Sequence, residues 1–388
     1  MLLRTFGGSL LIAVLGLALG LIYGGGTGLA LVAILGILEI SLSFDNAVVN
    51  ATVLVRMSPF WQKIFLTVGV AIAVFGMRLV FPLLIVGITA KLNPVEAIRL
   101  ALEKGDPDKK GTYGYLLAQA HPAIAAFGGM FLLMLFLDFM FEEREITWLS
   151  FIEKPLARIG KLDQLSVVIA LGTLAAAAYT LGESADTAQS DRISTILVAG
   201  VLGLATYLLV NGLGEFFDTD DEDDESEETE GGEIEYTLDK PKATHVVGKA
   251  ALFLFLYLEV LDASFSFDGV VGAFAITSDP IIIAIGLGVG AMFIRSLTVF
   301  LVRKGTLSEY VYLEHGALWA IGALSIVLLI TIEYEVPEVV TGLIGVGFIG
   351  LALISSIVRN RRAADSDESS DDSGDEQRPR PRPAPAQT

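Results

Sequence analysis

Long apolar runs separated by short polar stretches dominate the chain. Roughly 20 apolar residues suffice to cross a bilayer. Runs approaching or exceeding that length recur at 9–23, 29–55, 64–88, 122–141, 165–181, 193–213, 250–276, 281–302, 316–332 and 339–358. The pattern therefore predicts about ten membrane-spanning helices. The first reads as a retained helix rather than a cleaved leader, because no clean small-residue cleavage site follows it. Gly24, Gly25, Gly26 and Thr27 separate it from the second, and Ser58-Pro59 and Asp279-Pro280 mark tight turns. The polar stretch 91–119 has room for a short interfacial helix at 95–102. The chain divides into a first helix and linker (1–28), a membrane repeat (29–141), a connector with two helices (142–214), an acidic loop (215–244), a second membrane repeat (245–358) and a low-complexity tail (359–388) expected to be disordered.

Composition supports this division. Of 388 residues, 53% are hydrophobic and only 18% charged, which points to an all-α polytopic membrane protein rather than two or three soluble domains. The absence of cysteine excludes disulfides and thiolate metal sites, and three histidines make an imidazole-rich site a poor reading. Whatever the chain binds is held mainly by oxygen. The net charge of −19 is concentrated at 215–235 and 365–376. These stretches read as solvated segments, or alternatively as an antenna for divalent cations. No basic pattern suggests nucleic acid. Lysine and arginine are more numerous on the side shared by both termini and the acidic loop, so that side is expected to be cytoplasmic, with 91–119 outside.

One stretch occurs twice. Ser41, Ser43, Phe44, Asp45 and Val48 return as Ser264, Ser266, Phe267, Asp268 and Val271, and Glu39 is matched by Asp262. A carboxylate at the centre of a membrane helix costs about 2.5–3.5 kcal/mol on insertion scales, so a repeated one implies a purpose. In each copy a turn leads into a glycine-containing helix with one mid-span arginine, Arg78 or Arg295. The two motif helices are the second and seventh spans, so they cross in opposite directions. This is an inverted repeat, with its site expected near the midplane where the repeats meet.

Glu39, Ser43, Asn46 and Asn50 share one helical stripe, as do Glu259, Asp262, Ser266 and Gly269. Asp45 and Asp268 fall about 240° round from Glu39 and Asp262. Either each helix presents two polar faces, or the backbone breaks near Ser-Phe-Asp and gathers the acids into one cavity; the break is the preferred reading. Glu39, Asp45, Asp262 and Asp268, with Asn46 and the serines as neutral donors, would suit hard or borderline divalent ions. Simpler roles compete. Ser43, Ser266 and Asn50 could be packing glue, while Arg78 and Arg295 could be counter-ions for Asp45 and Asp268, or could hold the empty site until a cation displaces them. Asp138 sits near a span end; His121, Glu314 and His315 read as caps. Glu259 has no partner in the first copy and reads as a gating or proton-handling group. The glycines at 286–290 and 345–350 read as helix packing, since no strand precedes them as a nucleotide loop requires.

The motif at 39–46 and its degenerate partner at 262–269 resemble the TerC-type integral membrane family, associated with tellurium resistance and related to the LysE-like exporters. The likeness extends through Arg78 and Arg295 and over most of 29–360. It implies export of Mn²⁺, with Glu39, Asp45, Asn46, Asp262 and Asp268 as ligands. The second-copy asparagine of that pattern is Gly269 here, one amide fewer. The expectation is a multi-pass transporter of the plasma or inner membrane, not an enzyme and without a tightly bound cofactor. No ATP-binding motif is visible, so H⁺ or Na⁺ is the expected coupling ion. A non-transporting scaffold in metal or tellurium stress, or an exporter of small organic solutes, are the alternatives.

Overall fold

The computed structural model describes residues 2–375, apart from 70, 104, 106–107, 163, 182–188, 227–245, 247, 278 and 305–308. Among the described residues the protein is helical throughout, with a single isolated bridge between Met57 and Val246. It is an all-α polytopic membrane protein. Seven helices of the described chain are long and apolar enough to cross a bilayer. Their outer surfaces carry large apolar side chains, such as Ile22, Phe75, Ile88, Leu209 and Leu343. Aqueous exposure on that scale would be unusual for a monomer.

The first helix, α1 (Leu2–Leu42), is two limbs. Gly25 has φ 62°, ψ −150°, a conformation open to glycine because it lacks Cβ. The chain reverses there. Ser9 hydroxyl donates to Met292 carbonyl, Gly16 faces Val289 and Gly28 faces Ile282, after which Gly36 returns to Gly286 and Val289. The second limb breaks at Ser43 (φ −99°, ψ 17°) and resumes as α2 (Phe44–Leu54). Beyond the turn at Ser58, α3 (Pro59–Ile64) leads through π-helical segments Phe65–Gly69 and Ile72–Val80 into α4 (Phe81–Thr89). The polar stretch then folds into α5 (Pro94–Leu102), with a capping box between Asn93 and Glu96. It coincides with the expected interfacial helix.

Next, α6 (Tyr113–Phe141) begins nine residues before the apolar run at 122, capped by Thr112. Pro122 and His121 therefore lie inside it, and His121 is not a cap. A short α7 (Ser150–Ile159) occupies the connector. The chain continues with α8 (Leu165–Leu181), α9 (Gln189–Ser226), the second motif helix α10 (Gly248–Ile276), α11 (Pro280–Lys304), α12 (Leu313–Ile330) and α13 (Glu338–Asp375). With the second limb of α1, the shorter α8 and the charge-bearing α10, the apolar passes number about ten, as the hydropathy pattern predicts. The last helix does not end at 359, where the disordered tail was expected to begin; its backbone stays helical to Asp375, and 376–388 lie outside the described residues. Likewise α9 carries the acidic stretch as helix to Ser226, while 227–244 lie outside them.

Packing around α11 explains the glycines at 286–290. A Cβ at Gly286 would come within 2.5 Å of Leu35 Cβ, and one at Gly290 within 2.4 Å of Glu39 Cβ and 2.8 Å of Gly36 carbonyl. These glycines let the motif helix lie directly on α11. Gly347 and Gly350, assigned the same role from sequence, have nothing within 4 Å and serve no such contact. The main core joins α6, α10 and α12 through Met130, Phe131, Met134, Leu261, Ile321 and Leu328.

Candidate functional site: an antiparallel acidic seam

Two contacts fix the register of the motif helices. Asn46 Nδ2 donates to Asp262 Oδ1 at 2.7 Å, and Glu39 Oε2 lies 3.1 Å from where a Cβ on Gly269 would stand. Seven residues forward on one helix answer seven residues back on the other, so the two run antiparallel, as an inverted repeat requires. The pairing is reciprocal: each first-position acid faces the position seven residues later in the other copy. Asp262 meets an amide there; Glu39 meets glycine. The same register brings Ser43 to within one residue of Ser266 in depth, and Asn50 to within one residue of Glu259.

The seam excludes solvent. Glu39, Ser43, Asn46, Asn50, Glu259, Asp262 and Ser266 are all buried. Both acids carry an arginine from the next helix of their own repeat. Arg78 pairs with Glu39, 39 residues earlier, and Arg295 with Asp262, 33 residues earlier, at 3.3 Å. The longer first interval contains the break at Ser43 and the π-helical segments, where extra residues are accommodated. Arg78 also donates to Ala73 carbonyl at 2.5 Å, inside its π segment, and Arg295 to Phe65 carbonyl at 3.3 Å while its guanidinium lies 3.9 Å from the Phe65 ring centroid. The arginines are thus counter-ions to Glu39 and Asp262. The sequence assigned them to Asp45 and Asp268, whose side chains lie outside the described residues, although both residues belong to helices α2 and α10.

The expected backbone break is present in the first copy, at Ser43, where the serine hydroxyl donates to Glu39 Oε1 at 3.1 Å. The second copy has none: α10 is continuous through Ser266 and Asp268. Ser264, in contrast, is helix glue, donating to Val260 carbonyl and packing on Gly128. Several buried oxygens in the seam accept no hydrogen bond: Asn50 Oδ1, Ser266 Oγ and both carboxylate oxygens of Glu259. Buried acceptors are ordinarily satisfied. Among the described residues, no three of His, Asp and Glu stand close enough together to hold a metal ion.

A cavity of about 590 Å³ lies at the Arg56 end of α2, lined by Val49, Thr52, Arg56, Asp138, Asn211 and Tyr257. Asp138 stands in this wall rather than in the seam. At the opposite end a smaller cavity, about 260 Å³ and lined by Leu83, Ile98, Tyr113 and Ile281 among others, reaches Arg78.

Sequence reading missed Glu153. It is buried, accepts hydrogen bonds from Trp148 and Leu149 backbone N–H and from Trp319 Nε1, and lies 3.3 Å from His315 Nδ1. His315 is therefore an internal partner of α7, not a cap, while Glu314 meets Arg144 at 3.7 Å. The amphipathic spacing of 150–159 was the one available signal.

No curated protein and no solved structure matches the chain. A family described as a protein of unknown function (DUF475) matches residues 44–363, covering both motif helices from Phe44 and both arginines; the chain belongs to that family.

Proposed function

We propose that the protein is a secondary transporter that moves a divalent cation, Mn²⁺ above others, through the seam between α2 and α10. The observation that supports this reading is the register: two antiparallel helices set Asn46 against Asp262 and Glu39 against Gly269, so that a buried acid from each motif copy lines one seam. An isolated carboxylate in hydrocarbon has no role in packing, and intramembrane ionisable groups facing a bundle interior mark ion pathways. The donor set is carboxylate, amide and hydroxyl oxygen, which suits Mn²⁺, Mg²⁺ or Ca²⁺ over softer ions. The resemblance of the motif pair to the TerC-type exporters favours manganese and efflux.

Glu39, Asn46 and Asp262 would supply ligands, joined by Asp45 and Asp268 as the repeats rock. Arg78 and Arg295 neutralise Glu39 and Asp262 between transport events, so cation entry requires their withdrawal. The 590 Å³ cavity is the approach from the side of both termini, taken as cytoplasmic from the distribution of basic residues in the plasma or inner membrane. The driving ion is H⁺ or Na⁺.

A second reading draws on the same arginines: ion pairs that neutralise both acids would suit a static scaffold used in metal stress. Flux of radiolabelled Mn²⁺ in vesicles holding the full-length chain separates them. Asp45→Asn with Asp268→Asn is expected to lower flux at least tenfold; flux equal to the unmodified protein would reject the transporter.

A further inference from the structure

The two copies differ in charge, and the difference is local. In the first, among the described residues, Arg78 faces one carboxylate, Glu39. In the second, Arg295 faces two, Asp262 at 3.3 Å and Glu259 at 3.6 Å. Arg295 spends its shorter contacts on Asp262, on Phe65 carbonyl and on the Phe65 ring. Glu259 is left with neither carboxylate oxygen accepting a hydrogen bond, at 5% exposure.

Apolar side chains and backbone pack against it. Gly69, from the π-helical segment, lies so close that a Cβ there would stand 2.6 Å from Glu259 Oε1, 2.9 Å from Arg295 Nη1 and 3.4 Å from the Phe255 ring. Glycine at 69 is what leaves room for the carboxylate. Phe65, Phe255 and Leu258 belong to a buried apolar cluster. Among the described residues the charged groups around Glu259 are Arg295 from α11 and Asp262 on its own helix, two carboxylates sharing one guanidinium. An uncompensated buried carboxylate costs several kcal/mol (roughly) and is normally paired or neutralised.

Resting on the transport reading, we propose that Glu259 is a separate site for a single positive charge, a proton or one monovalent cation, and that this is the coupling ion. The site lies one turn from Asp262 and shares Arg295 with it. Filling Glu259 frees Arg295 to hold Asp262 closely; emptying it draws Arg295 towards Glu259 and opens Asp262 to the divalent cargo. Occupancy of the two sites is then linked through one guanidinium, as exchange requires.

The test is cargo-free and uses the purified full-length protein without divalent metal. Infrared difference spectra on alkaline titration report a protonated carboxylic acid, and calorimetry with NaCl against choline chloride reports sodium binding. A carboxylic-acid band absent in Glu259→Gln, and shifted in Glu259→Asp, establishes the proton. A sodium heat that is absent in Glu259→Gln and weakened in Glu259→Asp establishes the monovalent cation. If the unmodified protein shows neither signal, or if both variants retain it unaltered, the proposal is overturned. Glu259→Asp keeps a carboxyl group in place and covers the case in which Glu259→Gln does not fold. Because no cargo is present, these outcomes stand whether or not Mn²⁺ flux is found.

Discussion

Asn46 and Asp262 stand at one depth on two helices running in opposite directions, joined by an amide-to-carboxylate hydrogen bond of 2.7 Å. The donor comes from the first motif copy and the acceptor from the second, 216 residues later. The bond thus spans the interface of the repeats. A hydrogen bond to a charged group contributes about 1.5–3 kcal/mol, so Asn46→Ala is expected to lower unfolding stability by that amount. Asn46→Asp, which sets a second carboxylate against Asp262, should cost more. Denaturant midpoints in detergent check the order; equal stability of the two variants would contradict the contact.

The arginines give a sharper test. Arg78 and Glu39 are both buried, and removing one partner of a buried pair costs about 3–5 kcal/mol. Arg78→Gln should therefore be strongly destabilising, and Arg78→Gln with Glu39→Gln much less so. Added Mn²⁺ should restore part of the loss in Arg78→Gln alone, since a cation can replace the guanidinium. A scaffold would show the double-mutant recovery without the metal effect. Thermal unfolding with and without MnCl₂ distinguishes them.

Helix contact at α11 predicts a contrast between glycines. Gly290→Ala forces a methyl into Glu39 Cβ and Gly36 carbonyl, an overpacking expected to cost about 1–3 kcal/mol. Gly347→Ala meets nothing within 4 Å and should be neutral, or stabilising by up to about 1 kcal/mol through helix propensity. Similar losses at both positions would remove the argument that the 286–290 glycines seat the motif helix.

Much of this arrangement is legible in the chain itself. The inverted repeat follows from counting spans between two copies of one motif, and the stripes carrying Glu39, Asn46 and Asp262 follow from helical spacing. Less accessible was which acid each arginine meets. Charge alone does not single out Glu39 as a partner of Arg78; the π-helical turns before Arg78 set its angular position, and no hydropathy pattern reports them. Nor did the break at Ser43 have to be matched by one at Ser266: the serine and aromatic residues are the same, and the tertiary setting differs. Glu153 was hidden for another reason. In a connector containing Glu142, Glu143, Glu145 and Lys154, one more acid carries no mark of burial; only the fold brings Trp319 and His315 to it.

That buried acid supports its own prediction. Glu153→Ala removes the acceptor for Trp148 and Leu149 N–H and for Trp319 Nε1. An unsatisfied buried donor costs about 1–3 kcal/mol, and α7 should detach locally before the bundle unfolds. Faster proteolysis within 142–161, with a red-shifted Trp319 emission, is the expected result.

The chain has no cysteine, so single introduced cysteines report sidedness directly. Thr52→Cys, in the wall of the larger cavity, should react with a membrane-impermeant maleimide in inside-out vesicles and not in intact cells. Lys109→Cys, exposed in the stretch between α5 and α6, should do the reverse. The opposite pattern would invert the proposed orientation, and with it the direction of export.

Transport through the seam requires that a cation bind where the motif helices cross. Electron paramagnetic resonance of Mn²⁺ titrated into the purified full-length protein tests it most directly, comparing the unmodified chain with Asp262→Asn and Glu39→Gln. A protein-bound manganese signal is expected, with an affinity that falls at least tenfold in each variant, equivalent to about 1.4 kcal/mol. Manganese bound with unchanged affinity in both variants, or not bound by the unmodified protein, would contradict it.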